Sequence, residues 1–367
     1  MKRILIILFV LALCFCQRRF NPVEVQQDNN GIINESCLCY RKLDAQNHWQ
    51  IYITNIQGSK KYNISNNPYD GAYSPRWSPD GKFIIFRYDK PLGGPDIYRY
   101  DVLNKTKINL TGDLADNESA YPVTWTFDSE KIIFVYHKIG ESEKVWSMKK
   151  DGTNKKEILP GNYNILGFYN DGTTFLYETN HFLYKGNIEG ALTEMVLDLD
   201  QYGKYRTYVN NFDPNSNKIL CHEDTSRWDG GYTFIIKTID LNTFKTDTIV
   251  TNFDNYLFYR PVFSNDYQKI AFIARNYNKK ISKIILWQND SIKDICILNS
   301  KKDFFDITPL KFSPSDNFIA CTKNTNQSNN SDFVYWISHV WLININDQNY
   351  IEIGIGEDIH WNPTCNN

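Results

Sequence analysis

The side chains that could do acid–base chemistry are concentrated in one short segment of this chain. Residues 222–224 are His-Glu-Asp, and residues 227–229 follow as Arg-Trp-Asp. A histidine and carboxylates this close could act as acid and base, with the indole ring as a platform for a sugar or a peptide. The competing interpretation is a strand that ends in a charged loop. We favour that interpretation, because no catalytic motif surrounds the segment.

Metal and cofactor chemistry has little support in the residue spacing. The six histidines are scattered, none belongs to an H-E-x-x-H pattern, and no C-x-x-C pair is present. Cys37 and Cys39 flank a single leucine, which is poor spacing for zinc ligands on a strand. We therefore predict no metal site and no cofactor, although the fold could still bring distant residues together.

The elements that position these residues follow a repeat of about 47 residues. Its clearest unit runs from Ser74 to Thr111 and contains SPRWSPDGKFIIFRYD, DIYRYDV and KINLT. The opening segment of this unit recurs along the chain with an aromatic residue in register. The aromatics are Trp77, Trp125, Phe168, Phe212, Phe263, Phe312 and Trp361. Such regular spacing predicts an architecture built from one repeated supersecondary unit.

Each unit is predicted to form four strands, a to d. Strand a ends at the aromatic, a tight turn rich in Asp, Gly, Asn or Ser follows, and strand b shows the alternation of a sheet. Strand c has an aliphatic–aromatic core, and strand d is short and polar at its edges. Radial repetition of four-stranded blades is how a β-propeller buries both faces of each sheet. The predicted fold class is therefore all-β.

The two ends of the chain supply complementary parts of one blade. Residues 35–65 contain strands b, c and d without a strand a, and residues 358–364 form a strand a with no strand after it. Joining them closes the ring and pairs two otherwise free edges. We predict one seven-bladed propeller of four-stranded antiparallel blades over residues 33–364, whose closing blade is shared by N- and C-terminal strands.

The unit SPRWSPDGKFIIF…DIYRYD…KINLT resembles the repeat of TolB-like, WD-repeat-like β-propellers, which occur mostly in bacterial envelope proteins. The resemblance covers almost all of the chain after its N-terminal segment, and it implies a fold and a compartment more than an activity. TolB itself has a domain ahead of its propeller, whereas only Gln17 to Ile32 precede the first strand here, so TolB's own role is not implied. Serine peptidases also contain such propellers, but this sequence has no G-x-S-x-G elbow.

Two cysteines are expected beside the same turn of the closing blade. In the repeat alignment Cys365 matches Gly81 and Cys37 matches Phe83, and the two come from opposite ends of the chain. In an oxidising compartment a disulfide between them would hold the ring shut. Cys39 is the alternative partner, and a reduced, unpaired state is the other alternative. The remaining cysteines after the leader are expected to be free thiols within strands.

The N-terminus is typical of an exported protein. After Met1-Lys2-Arg3, the apolar run at residues 4–13 is too short to span a bilayer and fits the apolar region of a secretory signal. A buried N-terminal helix or strand is the alternative. The cysteine after that run resembles a lipidation site, at Cys14 in preference to Cys16, with plain secretion as the alternative. We predict a lipoprotein-type signal peptide at residues 1–16 and a short linker at residues 17–32.

Binding residues are expected on the face that carries the long connections. In propellers the b–c and d–a connections share one face, and we place long b–c connections at residues 88–95, 223–233, 275–283 and 322–331. Exposed Tyr, Trp and Arg side chains on such loops are favoured at binding hot spots. The candidates are Tyr88, Arg227, Trp228, Tyr232, Arg275, Tyr277, Tyr335 and Trp336. For each of them, packing between blades is the alternative role.

Composition narrows the function. The chain has 40 Lys and Arg against 42 Asp and Glu, a net charge of −2 that excludes a polybasic nucleic-acid binder. We predict a monomeric, non-catalytic binding module of the bacterial cell envelope, periplasmic or an outer-membrane lipoprotein, that contacts the membrane only through a lipid anchor. Its partner would be an envelope protein or a peptidoglycan-associated component. The alternative is a polysaccharide lyase or hydrolase with a site at the mouth of the central channel.

Overall fold

The computed structural model describes most of the chain after residue 34. The described residues are 35–69, 71–161, 163–190, 193–202, 206–226, 232–251, 255–300, 303–305, 310–326 and 336–365, with only the backbone described at 224–226 and 232–233. Strands account for nearly all regular structure in these ranges, and Leu199–Gln201 form one turn of 3-10 helix. No helix within them has the length and apolarity needed to cross a membrane.

The described strands form seven antiparallel sheets, which are the blades of a β-propeller. Blade 1 contains β1 (Leu38–Leu43), β2 (Trp49–Thr54), β3 (Lys61–Asn63) and, from the other end of the chain, β29 (Glu357–Trp361). Blade 2 contains β4 (Ala72–Trp77), β5 (Phe83–Tyr88), β6 (Asp96–Asp101) and β7 (Thr106–Asn109). Blade 3 contains β8 (Glu118–Trp125), β9 (Lys131–Lys138), β10 (Lys144–Lys149) and β11 (Lys156–Leu159).

The second half of the chain continues the same order. Blade 4 contains β12 (Asn164–Phe168), β13 (Thr174–Thr179), β14 (Phe182–Asn187) and β15 (Thr193–Asp198). Blade 5 contains β16 (Arg206–Asp213), β17 (Lys218–Ser226), β18 (Tyr232–Asp240) and β19 (Thr246–Thr251). Blade 6 contains β20 (Leu257–Phe263), β21 (Ile270–Asn276), β22 (Ile281–Gln288) and β23 (Ser291–Asn299). Blade 7 contains β24 (Asp303–Phe305), β25 (Lys311–Phe312), β26 (Phe318–Asn326), β27 (Trp336–Asn344) and β28 (Tyr350–Ile355).

The predicted fold class is confirmed, including the closing blade that the two chain ends share. Strand β29 pairs with β1 in antiparallel register, Leu38 opposite Trp361. The amide of Asn362 donates to the Cys37 carbonyl at 2.8 Å, which continues the pairing past the end of the strand. Cys37 and Cys365 are joined by a disulfide, and their Cα atoms lie 5.2 Å apart. The ring is thus held by backbone pairing and by a covalent bond at one place.

The hydrophobic core lies between the blades, where each sheet face packs against its neighbour. One cluster joins blades 7 and 1 through Leu342, Tyr40 and Trp361. Another joins blades 2 and 3 through Ile85 and Trp125. All five side chains are buried, as expected where successive residues of a strand alternate between two covered faces. Repetition of this interface around the ring is what makes the repeat aromatics core residues.

Two of the three repeat tryptophans also connect neighbouring innermost strands by hydrogen bonds, whereas the buried Trp77 Nε1 has no partner among the described residues. Trp125 Nε1 of blade 3 donates to the Arg76 carbonyl of blade 2 at 3.2 Å. Trp361 Nε1 of blade 1 donates to the Lys311 carbonyl of blade 7 at 2.9 Å. In both cases the acceptor directly precedes the repeat aromatic of the neighbouring blade. A buried indole N–H usually needs a partner, and here that partner fixes the spacing of adjacent blades.

Two of the predicted b–c connections, those of blades 5 and 6, are shorter than expected, because strands b and c continue into them. In blade 6, Asn276 still pairs with Ile281, so the connection comprises only residues 277–280. In blade 5, β17 continues to Ser226 and β18 begins at Tyr232. In blade 7, β26 continues to Asn326 and β27 begins at Trp336, so that connection lies further along the chain than predicted. Continued pairing satisfies backbone donors and acceptors that a loop would leave to water. Strand a of blade 7 also differs from the prediction, because β24 and β25 pair separately with β26.

Candidate binding site

Tyrosines recur at the mouth of the channel on the face that carries the b–c connections. Tyr73, Tyr121, Tyr208 and Tyr259 each lie four residues before the repeat aromatic of their blade, and all four are partly buried. Strand a begins at this face, as shown by Ala72 pairing with Tyr88 at the end of strand b. We did not predict these tyrosines from the sequence. Their constant distance from the repeat aromatic is the signal that could have found them.

Arginines lie between aromatic rings across blades 1 to 3. The Arg41 guanidinium carbon is 4.7 Å from the Trp49 ring centroid and 5.2 Å from that of Tyr73. The Arg87 guanidinium carbon is 5.1 Å from the centroids of both Tyr73 and Tyr121. These are cation–π distances, and they produce an alternating series of rings and cations. We call this series, Trp49–Arg41–Tyr73–Arg87–Tyr121, the aromatic–arginine ladder.

Acidic side chains neutralise the arginines of the ladder. Arg41 pairs with Glu357 at 2.7 Å, and Arg87 donates to both oxygens of Asp89 at 2.6 and 3.2 Å. Since each guanidinium has a carboxylate partner and neighbouring rings, the ladder presents little free charge to a ligand. Its principal effect is to hold blades 1, 2 and 3 together at the channel mouth.

Across the ring, a cleft of about 370 Å³ opens between blades 6 and 7 on the same face. Its lining residues, which define the blade 6–7 cleft, are Arg275, Asn276, Tyr277, Lys280, Ile281, Ser282, Ser300, Asp303, Phe304 and Trp336. Tyr277 is 60% exposed and Trp336 is 49% exposed, which is high for such large apolar side chains. Exposed aromatics in a concave site are typical of residues that bind a ligand or a partner.

Phe304 organises the floor of the cleft. Its ring packs edge-on against Trp336, with centroids 4.8 Å apart, and the Arg275 guanidinium carbon lies 4.5 Å from its centroid. Arg275 also donates to the Phe305 carbonyl across the blade boundary. Strand b of blade 6 therefore supplies the cation, and blade 7 supplies the rings that hold it in place.

The cleft contains an arginine without an acidic partner. Among the described residues no carboxylate lies within ion-pair distance of Arg275, and its buried Nε has no hydrogen-bond partner there. Burial of the Tyr277 ring acts to raise the pKa of its hydroxyl, but hydrogen bonds with Tyr259 and Arg275 and the charge of Arg275 lower that pKa overall. Asp303 is already engaged, by Lys323 at 3.4 Å and by Thr325 at 2.8 Å. The cleft thus favours a negatively charged or strongly accepting group.

Arg275, Tyr277 and Trp336, three of the predicted binding residues, meet in this cleft. Tyr88 does not join them, because it is almost fully buried and stacks on Tyr98 with centroids 4.3 Å apart. We assign Tyr88 to packing, the alternative role considered for each candidate. Arg227, Trp228 and Tyr335, like Cys14 and Cys16, lie outside the described residues. Tyr232 begins strand β18, and its side chain is not among those described.

The His-Glu-Asp segment makes structural contacts. His222 stacks on Tyr208 with centroids 4.9 Å apart, and its Nδ1 lies 2.7 Å from Asn210 Oδ1. Burial, and secondarily the charge of Arg260, lowers the pKa of His222 to about 4. Glu223 is buried in an ion pair with Lys237 at 2.9 Å. Two members of the segment are therefore held by packing and pairing within blade 5.

A second polar group lies inside the channel, on the innermost strands of blades 7, 1 and 2. It contains Lys311, Asp358, His360 and Arg76. Arg76 Nη1 lies 3.5 Å from Asp358 Oδ1, and the Ser74 amide donates to Asp358 Oδ2 at 2.8 Å. The described part of the chain contains no cluster of three or more His, Cys, Asp or Glu side chains able to hold a metal ion.

Comparison with solved structures shows a β-propeller fold. The chain superposes on the β-propeller domain of the trilobed protease from Pyrococcus furiosus with a TM-score of 0.56 and 15% identity, covering 86% of this chain and 94% of that one. It matches a puromycin-hydrolyzing peptidase from Mycobacterium tuberculosis with a TM-score of 0.60 and 10% identity, over 88% and 54% of the two chains. At such identities the likeness concerns the fold alone.

TolB from Acinetobacter baumannii is also similar, with a TM-score of 0.48 and 15% identity over 91% of this chain and 69% of that one. No family model matches the chain. The assignment to the TolB-like repeat family consequently stays a prediction from the repeat unit, while the seven-bladed propeller is an observation.

Proposed function

We propose that this protein is a non-catalytic binding module that captures a partner in the blade 6–7 cleft. The observation that carries this proposal is the pairing of two largely exposed aromatic rings with Arg275, which has no acidic partner among the described residues. Aromatic and arginine side chains dominate binding energy at protein interfaces when a partner covers them. The chemistry suits a polypeptide segment that presents a carboxylate beside an apolar or aromatic side chain.

We also propose where the protein acts. The basic, apolar N-terminal segment supports export, and its cysteines, Cys14 or Cys16, support a lipid anchor. The partner would accordingly be an envelope protein or a peptidoglycan-associated component, and the protein would reach it as a monomer. The lyase or hydrolase alternative would have to use the channel group, where one carboxylate and one histidine meet two basic side chains.

The test is recovery of a partner from the envelope of the source cells by the tagged full-length protein after crosslinking. The Tyr277→Ala/Trp336→Ala double variant should recover at least about tenfold less of any specific partner than the wild type, because two hot-spot side chains are lost. Phe127→Ala is the matched control, since Phe127 is 60% exposed and follows strand a of blade 3, on the opposite face. Equal recovery by all three proteins, or turnover of an envelope polysaccharide by the wild type, would contradict the proposal.

A further inference from the structure

The end of the channel opposite the b–c connections contains a cavity lined by a lysine whose ammonium has no partner among the described residues. A cavity of about 400 Å³ lies there, formed by the ends of innermost strands and by the turns that follow them in blades 6, 7 and 1. Its lining residues are Asn265, Lys311, Phe312, Pro314, His360, Trp361 and Pro363. None of these residues belongs to the blade 6–7 cleft, so the cavity is a separate feature of the ring.

Lys311 lines this cavity, and the charges of Arg76 and Asp358 lie close enough to act on it. Arg76 and Lys311 come from strands β4 and β25, and Asp358 comes from β29. Asp358 already accepts a hydrogen bond from the Ser74 amide and lies 3.5 Å from Arg76. The Lys311 ammonium makes no hydrogen bond or ion pair with any residue in the described ranges, while its backbone carbonyl accepts from Trp361.

The protein surroundings of Lys311 disfavour its charge even though water reaches it through the channel. The Lys311 side chain is exposed in the channel, but desolvation by the surrounding strands and, to a lesser extent, the charge of Arg76 together lower its pKa to about 8, with Asp358 acting in the opposite direction. The same desolvation, with Arg76 and Lys311, lowers the pKa of His360 to about 3, so His360 adds no charge near neutral pH. A narrow cleft with excess charge of one sign attracts ions of the opposite sign.

A positive φ occurs beside this cavity at two irregularities of strand a. Asp358 has a φ of 56° and Ser74 has a φ of 52°, in the left-handed region that non-glycine residues avoid. Both residues lie at irregularities of strand a, and together they orient the Asp358 carboxylate toward the Ser74 amide and Arg76. Arg260 has a φ of 48° at the equivalent position of blade 6, so this conformation belongs to a bulge of the repeat, and at Asp358 it determines where the carboxylate points.

We propose that this cavity binds a small oxyanion, a carboxylate or a phosphate group, through the Lys311 ammonium with support from Arg76. An oxyanion would supply the hydrogen-bond acceptor and the negative charge that Lys311 lacks, and the remaining volume would hold the group that carries it. The inference is independent of the proposed partner at the blade 6–7 cleft, which lies at the other end of the channel.

The first experiment is titration calorimetry of the full-length wild-type protein with inorganic phosphate and, separately, with citrate, at pH 7 and constant ionic strength. Both probes are expected to bind saturably at one site, and the tighter of the two identifies the preferred oxyanion. Lys311→Met should weaken binding at least about tenfold, because a charge-assisted hydrogen bond is lost. Lys311→Arg, which keeps the positive charge, should bind within about fivefold of the wild type.

Lys245→Met is the matched control. Lys245 is exposed between strands c and d of blade 5, so its loss removes the same charge without touching the cavity. The affinity of the Lys245→Met variant for either anion should lie within about twofold of that of the wild type. If the Lys311 and Lys245 substitutions weakened anion binding equally, the effect would come from the overall charge of the protein, and the proposed site would be refuted. An absence of saturable binding to either probe would overturn it as well.

A second experiment needs no variant and so does not depend on folding of a mutant. Reductive methylation of the wild-type protein at pH 8, followed by peptide mass spectrometry, reports how fast each lysine reacts. Saturating phosphate or citrate should slow modification of Lys311 at least about fivefold and leave Lys245 unchanged, because an ammonium bound to an oxyanion stays protonated. Equal rates at Lys311 with and without both anions would refute the proposal.

Discussion

Removal of the Cys37–Cys365 disulfide tests how the ring is held shut. The cross-link joins residues 328 apart in sequence, so it encloses nearly all of the described chain. For a loop of that length the chain-entropy model gives about 6 kcal/mol of stabilisation through the unfolded state. At an unfolding entropy of about 2.1 cal/mol/K per residue, this is about 9 °C in the midpoint for a domain of about 330 residues.

The measurement is thermal unfolding followed by circular dichroism, with and without a phosphine reductant, for the wild type and for Cys37→Ser/Cys365→Ser. We expect the reductant to lower the wild-type midpoint by up to about 9 °C and to leave the double variant unchanged, because that variant has no cross-link to lose. Both cysteines are almost fully buried, so serine adds its own cost. Cys321→Ser, at a buried free cysteine, measures that cost separately.

A wild-type midpoint that moves by less than about 2 °C when mass spectrometry shows both thiols free would refute stabilisation of the ring by the disulfide. Pairing of β29 with β1 and the packing of Trp361 would then be sufficient to close the ring. An intermediate shift would mean that the reduced, unfolded chain retains structure, which weakens the loop-entropy contribution.

Three further predictions concern the same ring. Ending the chain at Ile355 removes β29 and uncovers the core of the closing blade, so cooperative thermal unfolding should be lost; a retained sharp transition would contradict closure by β29. Trp125→Phe removes an inter-blade hydrogen bond and should lower the free energy of unfolding in urea by about 1 kcal/mol. Trp146→Phe should lower it less, because Trp146 Nε1 has no partner in the described structure. The pKa of His360 falls from 6.5 to about 3 on folding, so between pH 6.5 and pH 3 the unfolded state binds a proton that the folded state does not. The free energy of unfolding should therefore fall by up to about 5 kcal/mol as the pH drops from 6.5 to 3. His360→Gln should reduce this loss of stability at acid pH. An unchanged dependence of the free energy of unfolding on pH would contradict the role given to His360.

The architecture was predictable because the repeat places one aromatic at the same point of every blade. Trp77 and Trp125, 48 residues apart, occupy equivalent buried positions, and the incomplete first unit required a strand from the C-terminus. The position of each aromatic within its repeat was sufficient to predict its burial, since alternation along a strand determines which side chains face the neighbouring sheet. The strand ends were less predictable, because β21 and β22 continue pairing through polar residues such as Asn276 that are typical of loops.

The candidate site was predictable only in part. Residue type and loop position indicated Arg275, Tyr277 and Trp336, but not that Phe304 would lie between them. Tyr88 has the same residue type and a similar loop position, and it is nonetheless buried against Tyr98. Local sequence cannot separate these cases, because exposure depends on what the neighbouring blade places over the ring.

The all-β class, the period, the number of blades and the pairing of the two chain ends could be inferred from the amino-acid sequence. These properties follow from short-range alternation and from repetition, which are encoded residue by residue. The side chains that meet across blade boundaries became apparent from the folded chain: Arg275 lies with Phe304 and Trp336, and Lys311 lies near Arg76 and Asp358. Their proximity depends on the lateral packing of blades whose contributing residues lie up to hundreds of positions apart, and no local pattern specifies that packing.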